Sequence, residues 1–396
     1  MHTAAVICEF DPLHRGHRHL LDEVRRAGAE RVVSIMSGDF TQRGEPAALS
    51  AHTRARMALA AGADLVLELP FPYSCGSAEF FAYGAMSVIA GLGGVDTLAF
   101  GCESGDAEAL CEAAERTSSV EFALEYEKAA EMHTSLGTAA LVESVYARMY
   151  GKSELWSGAN NVLAIEYIKA AKKLGVSLSY LAVSRRGAGH GEMREVGQYV
   201  SASFLREKMR SSPREIEAYL PPECREAAAG ELAAMRSPTR LENIEDAILC
   251  HYRLGYATKE TAESAGGLGY RLERAALCSD SYAGLIQNAK TKKYTDARLR
   301  RAIVYSLCGV FECDLKAPLG YTTLLGVNER GRALLGETKK TRRISVISSP
   351  RELGRLASET SRERTLRERA AHLRSLCTDS KEPPTLSTML SPVIVE

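Results

Sequence analysis

A chain of 396 residues exceeds the usual span of a single hydrophobic core, so two or three domains are expected. With 45% hydrophobic and 25% charged residues, and no apolar run near the roughly 20 residues a bilayer crossing needs, a helical membrane protein is excluded. Basic and acidic residues balance at 50 each, so overall charge announces no polyanionic partner.

The N-terminus, "MHTAAVICEFDP", lacks the basic region, long apolar stretch and small-residue cleavage site of a secretory signal. It reads instead as a first buried strand, and a cytoplasmic location is expected. The ten cysteines fall at 8, 75, 102, 111, 224, 250, 278, 308, 313 and 377 with no CxxC pair. That spacing suits reduced thiols and offers no Cys/His quartet for zinc.

Through the first half, short apolar runs alternate with helical patterns, the arrangement of a parallel sheet with crossover helices. "AAVICEF" (Ala4 to Phe10) is a buried strand entering a helix over Gly16 to Ala27. "RVVSIMS" is a second strand, followed by the loop "GDFTQRGEPAALS" and a helix over Ala51 to Ala61. "DLVLELP" and "VDTLAFG" are the third and fourth strands, with the helix "SAEFFAYGAMSVIAGL" between them. Helices then run to Tyr150, and "NNVLAIEYIKAAKKLG" precedes a fifth strand, "VSLSYLAV". The alternation predicts an α/β fold with a doubly wound parallel sheet.

Past "SASFLREKMRSSPREIEAYLPPE" strand patterns stop, and Pro213, Pro221 and Pro222 interrupt any continuous helix. Patterns such as "ENIEDAILCHYRLG" and "RLRRAIVYSLCGV" are helical. The expected division is a sheet domain over residues 1–212, a mainly helical domain over 213–375 and a peripheral, poorly ordered tail over 376–396. Charge is clustered in the helical half: "KTKKYTDARLRR", Lys290 to Arg301, holds six basic residues and one acid.

The stretch "FDPLHRGH" lies where doubly wound folds bind ligands, at the end of the first strand and the start of a helix. A helix N-terminus attracts anions, and His14 and His17 could donate to a phosphate there. "SASFLR", Ser201 to Arg206, opens a later helix with a hydroxyl and a guanidinium suited to further phosphates.

"FDPLHRGH" resembles the HxGH signature of the nucleotidylyltransferase superfamily, and "SASFLR" resembles its second, phosphate-binding motif. Together with "SGDFTQRGEPA", "GADLVLELPFPYS", "FGCESGD", "NNVLAIEYIKA", "AKTKKYTDARLRRAI" and "YTTLLGVNERGRALL", they make the chain similar to the bacterial tRNA(Met) cytidine acetate ligase family. The resemblance implies a Rossmann-like ATP-binding core with a mainly helical, tRNA-binding C-terminal part. It also implies a two-step reaction in which acetate and ATP give acetyladenylate, and the wobble cytidine of elongator tRNA(Met) then takes the acetyl group.

Carried over by residue, the ATP-binding loop covers Ile7, Cys8, Glu9, Phe10, Asp11, Pro12, Leu13, His14, Arg15, Gly16, His17, Arg18, His19 and Leu20. His14 and His17 would stabilise charge at the α-phosphate. Gly101, Asn161 or its neighbour Asn160, and Arg185 or Arg186 would contact the nucleotide, and Ser203 and Arg206 the β and γ phosphates. Mg2+ is expected to accompany ATP, without a dedicated acidic cage. Lys290, Lys292, Lys293, Arg298, Arg300 and Arg301 would line a tRNA backbone track, with Tyr294 stacking on a base. Gln42, Arg43 and Glu45 could face the acceptor or the phosphates. Asp39 and Cys102 stand where the family pattern is expected to carry Asn and Ser. A small-molecule nucleotidyltransferase would use the same core motifs, and the basic helical half separates it from the RNA-modifying reading. An RNA-binding protein that only senses ATP would not need both histidines.

Overall fold

All six residues of β1 (Thr3–Cys8) are buried, as befits a central parallel strand covered on both faces. The computed structural model describes residues 2–185, 200–234, 236–356, 360–381, 383–384, 386 and 390–395. In chain order β1 is followed by α1 (Arg15–Arg26), β2 (Arg31–Ser37), α2 (Ala51–Ala60), β3 (Leu65–Leu69), α3 (Ala78–Leu92) and β4 (Thr97–Cys102). Next come α4 (Ala107–Thr117), α5 (Val120–Met132), α6 (Thr138–Tyr150), α7 (Ala159–Lys173) and β5 (Ser179–Ser184). These five strands are parallel to their neighbours in the order β5–β4–β1–β2–β3, the doubly wound arrangement anticipated from the alternation. The chain reverses direction across the sheet between β1 and β4, which opens a crevice at their C-terminal ends.

Two hydrophobic cores sandwich the sheet. One joins Ile7, Val33 and Leu67 to Phe81, Met86 and Ile165 of α3 and α7. The other joins Val6, Val32 and Val66 to Leu21, Val24, Ala55 and Ala58 of α1 and α2. Alternate residues of each strand thus point to opposite faces and are buried on both.

The second half begins with α8 (Ala202–Ser211), α9 (Arg225–Ala233), α10 (Glu245–Arg253), α11 (Leu268–Leu277), α12 (Tyr282–Ala289) and α13 (Asp296–Cys308). A third core binds α10 to α13 to Phe40 and Phe71, which lie in the loops after β2 and β3. The helical part therefore sits over the ligand edge of the sheet. The Tyr305 hydroxyl, 3.0 and 2.8 Å from the carbonyl oxygens of Pro72 and Cys75, fixes this contact.

The expectation that strands end before residue 213 is corrected. After α14 (Glu312–Lys316) the chain forms β6 (Tyr321–Val327), α15 (Glu329–Glu337), β7 (Ser345–Ile347), α16 (Pro350–Leu353), α17 (Ser361–Leu376) and β8 (Val393–Ile394). β6 pairs antiparallel with β3 and parallel with β7, so the C-terminal half completes the sheet begun by the N-terminal half. β8 pairs with β6 through Val393 and Ile394, which anchors a tail expected to be peripheral. A seven-residue apolar run such as "YTTLLGV" does not distinguish strand from buried helix by periodicity, and its partner strand lies far back in sequence. Among the described residues no helix is long and apolar enough to cross a membrane.

Candidate active site

The crevice between β1 and β4 contains a cavity of about 510 Å³. Its floor is the ends of β1, β4 and β5, and its walls come from α1, α3, α7, α8 and the loop after β2. Of the anticipated ATP loop, Ile7, Cys8, Glu9, Phe10, Asp11, His14, Gly16, His17, His19 and Leu20 line it. Pro12, Leu13, Arg15 and Arg18 are not on that wall. Leu13 is fully buried in the core, Arg15 donates to the Ala218 carbonyl oxygen, and Arg18 pairs with Asp22 and Glu223. A helix shows only one side to a ligand, so a contiguous stretch cannot all face it.

His14 is the N-cap of α1, and its Nδ1 accepts the Gly16 backbone N–H at 3.1 Å. The His14 backbone N–H points at Nδ1 of His17, 3.3 Å away. Both rings therefore cap the helix through Nδ1, and each neutral ring must carry its proton on Nε2. The two rings stack at a centroid distance of 3.8 Å and an interplanar angle of 20°. The first turn's donor capacity is thus passed outward from the backbone to two imidazole N–H groups. Gly16 is required by this packing as much as by backbone approach: a Cβ there would lie 2.9 Å from Cε1 of His14. Phe10 takes a left-handed φ of 48°, strained for a residue with a side chain, and meets the His17 ring edge-on at 5.1 Å.

Both histidines are neutral in the free protein. Burial, reinforced by Arg185 and Arg206, pushes the pKa of His14 down to about 3. Burial, then His14 and Arg185, holds His17 well below its ordinary value. A polyphosphate entering among these groups would meet two N–H donors and two guanidinium cations, matching an anion that carries several charges.

Arg206 of α8 donates to the Asp11 carbonyl oxygen at 2.9 Å and to Ser203 Oγ at 3.2 Å, so the second motif meets the first in space. Ser201 caps α8 by accepting from the Phe204 N–H. Glu45 lies 3.4 Å from Arg206 and 3.6 Å from Arg300. Burial works against its ionisation, but Arg206, Arg300, Arg210 and Arg43 outweigh it and keep the carboxyl low. Glu9 accepts the Gln42 N–H at 2.7 Å, and burial raises its pKa. Gln42 and Arg43 line the cavity as well.

On the opposite wall Gly101 and Arg185 line the cavity, and a Cβ on Gly101 would meet only Arg185 Cγ at 3.8 Å. Glycine there leaves the room open to a ligand. Arg186 lies outside the described residues. Between the two asparagines left open on the sequence, Asn160 lines the cavity. Asn161 is 2% exposed, and its Oδ1 accepts the N–H groups of Glu103 and Ser104 at 3.0 and 3.2 Å. Asn161 thus positions the loop after β4 from behind the wall.

Sequence reading missed Leu163 and Tyr167, which share the cavity face of α7 with Asn160. Their spacing of three and seven residues from Asn160 was the available signal. It also missed Arg54, fully buried, which donates to the carbonyl oxygens of Leu49, Glu9 and Ser37 at 3.0, 2.8 and 2.7 Å and also to that of Gly38. This guanidinium ties together the loops that leave β1 and β2. Nothing in "AHTRARMALA" distinguishes it from a solvated helical arginine.

The basic run is divided by burial. Lys290 and Lys292 are exposed, and Lys293 and Arg300 are half-buried. Arg301 is buried and bonded to Glu263 at 2.7 Å, and Arg298 faces the same carboxylate at 3.3 Å. Tyr294 is buried, with its hydroxyl donating to the Gly266 carbonyl oxygen. Arg301 and Tyr294 are both engaged inside the helical part.

These features, two stacked histidines capping the first helix of a doubly wound sheet with an arginine delivered by a later helix, define a nucleotidyl-transferring class. The family model described as HIGH Nucleotidyl Transferase matches residues 1–386, and the chain belongs to that family. The tRNA(Met) cytidine acetate ligase of Syntrophotalea carbinolica is 34% identical, covering 91% of this chain and 87% of the relative. That of Caldanaerobacter subterraneus subsp. tengcongensis is 32% identical, covering 88% of each. The crystal structure of Thermotoga maritima TmcAL bound with α-thio-ATP superposes over the full length of both chains with a TM-score of 0.90 at 27% identity. Within the nucleotidyl transferases, the chain belongs to the tRNA(Met) cytidine acetate ligases.

Proposed function

We propose that the protein is an ATP-dependent, tRNA-modifying ligase. An oxygen of acetate attacks the α-phosphate of ATP, the α–β phosphoanhydride bond breaks and pyrophosphate leaves, giving acetyladenylate. The exocyclic N4 of the wobble cytidine in elongator tRNA(Met) then attacks the acetyl carbonyl. AMP departs, N4 loses a proton and N4-acetylcytidine is formed.

The observation that carries this reading is the stacked pair His14 and His17, with both Nδ1 atoms spent on backbone N–H groups. Two Nε2–H donors at a helix N-terminus suit the charge that develops at an α-phosphate, where catalysis is mainly positioning and electrostatic stabilisation. Ser203 and Arg206 would take the β and γ phosphates, with Arg206 exchanging Glu45 for the nucleotide. Gly101, Asn160 and Arg185 would border the nucleoside. Asp11 and Glu9 are acidic groups on the cavity wall, and two carboxylates do not make an octahedral magnesium cage. Mg2+ would therefore enter on the triphosphate, completing its shell with water. Residues 1–212 supply this chemistry, and residues 213–375 supply a tRNA track from Lys290, Lys292, Lys293 and Arg300.

The test is pyrophosphate release from labelled ATP in the cytoplasmic range of acetate. Release should depend on acetate, and His14→Ala and His17→Ala should each abolish it while tRNA binding persists. Activity surviving both substitutions contradicts the mechanism. Release without acetate, driven by a phosphorylated cofactor precursor, would instead identify a small-molecule nucleotidyltransferase.

A further inference from the structure

The inward-facing part of the basic run holds the backbone that leads to an exposed aromatic. Arg298 reaches the carbonyl oxygens of Glu263 and Ala265, each at 3.4 Å, Arg301 bonds Glu263 at 2.7 Å, and Tyr294 donates to Gly266. These contacts fix residues 263–266, the approach to Gly267, whose left-handed φ of 88° starts α11. The third residue of that helix is Tyr270, 57% exposed.

A lysine sits over the Tyr270 ring. Lys259 Nζ lies 4.2 Å from its ring centroid while pairing with Glu273 at 2.9 Å. The first turn of α11 contains no acidic residue, so the positive end of its dipole is not neutralised. Arg271, the next residue, donates to the Ala289 carbonyl oxygen at 2.5 Å and reaches that of Lys290 at 3.5 Å, joining α11 to the start of the lysine run. The run in turn reaches the cavity mouth. A Cβ on Gly137 would lie 3.3 Å from the Lys293 carbonyl oxygen, and Ala139, two residues on, lines the cavity.

From this juxtaposition we propose that Tyr270 is a stacking platform for an unpaired base of the bound RNA, with Lys290, Lys292 and Lys293 on the adjoining phosphates. The inference rests on the tRNA-modifying reading and extends it to base contact. Single-stranded RNA loops are held by aromatic faces under their bases and by cations on their backbones, and both lie together on this surface. The Lys290 pair with Asp296 is exposed and would yield readily to a phosphate.

The experiment uses the full chain and two fluorescent RNAs of equal length at one salt concentration: the anticodon stem-loop of elongator tRNA(Met), and a fully paired duplex. Tyr270→Ala should weaken stem-loop binding about tenfold and leave duplex binding unchanged, because only the stem-loop offers free bases. Tyr270→Trp should restore binding, which a loss of fold would not allow. Lys292→Glu with Lys293→Glu should weaken both RNAs. Equal stem-loop binding by Tyr270→Ala and the unsubstituted chain, or equal loss of both RNAs in Tyr270→Ala, overturns the platform. If the unsubstituted chain releases pyrophosphate with acetate yet binds neither RNA, this surface is not the RNA face. If acetate drives no pyrophosphate release, the failure belongs to the ligase reading.

Discussion

At the scale of single residues, burial decides which polar groups act and which only hold. His14 and Tyr294 are both aromatic, polar and buried, but His14 borders the cavity and Tyr294 is spent on a loop carbonyl. The histidine pair was legible in the sequence because its capping geometry is local, linking residues three apart. The burial of Tyr294 and Arg301 was not, because it depends on residues 263–266, brought close only by the fold. Asp39, which follows Gly38 at the end of β2, yields a prediction at this scale. Burial raises its pKa from 3.8 to about 6, with Glu68 adding to the rise while Arg374 and Arg54 oppose it. The folded state thus holds the Asp39 proton more tightly than the unfolded chain does. The corresponding stability is complete below pH 3.8 and is lost as pH rises through about 6. Asp39→Asn, which cannot ionise, should match the parent in thermal melts below pH 3.8 and melt several degrees higher well above pH 6. A melting difference that does not vary with pH would mean that folding leaves the Asp39 pKa unshifted.

Among elements, the alternation of strands and helices through β5 was readable, since each crossover is local and each buried strand is a continuous apolar run. β6 escaped because its pairing with β3 joins residues more than 250 apart in sequence, Leu65 with Val327 and Val66 with Gly326. The fit is close: a Cβ on Gly326 would lie 2.9 Å from Leu59 Cδ1 of α2. α15 adds a second tie, since Glu337 takes both Nη atoms of Arg31 at 2.6 Å. A chain ending at residue 212 therefore leaves the edge of β3 unpaired, strips apolar cover from α2 and removes Glu337, one partner of Arg31. Exposed strand edges template aggregation. Such a fragment should elute as aggregate on size exclusion and lack a cooperative melt, although it contains every residue assigned to ATP. A monomeric fragment that melts cooperatively would show that the first five strands fold without β6.

The whole molecule places the cavity and the helical part at the same edge of one sheet. The helical part is seated there by Phe40 and Phe71 in the loops after β2 and β3. Those loops continue into the groups that border the cavity, so the helical part and the cavity share a scaffold. The loop from Thr41 to Glu45 connects them directly: Gln42 N–H bonds Glu9, Arg301 reaches the Gln42 carbonyl oxygen at 3.4 Å, and Glu45 lies between Arg206 and Arg300. A small acceptor would need no such surface; a macromolecular acceptor whose reacting base enters beside the nucleotide does. The central claim is tested most directly by mass spectrometry of nucleosides from tRNA incubated with the protein, ATP and isotopically labelled acetate. The account predicts labelled N4-acetylcytidine at the wobble position of elongator tRNA(Met), dependent on ATP and absent with His14→Ala. Unmodified cytidine there, under conditions in which acetate drives pyrophosphate release, would contradict it.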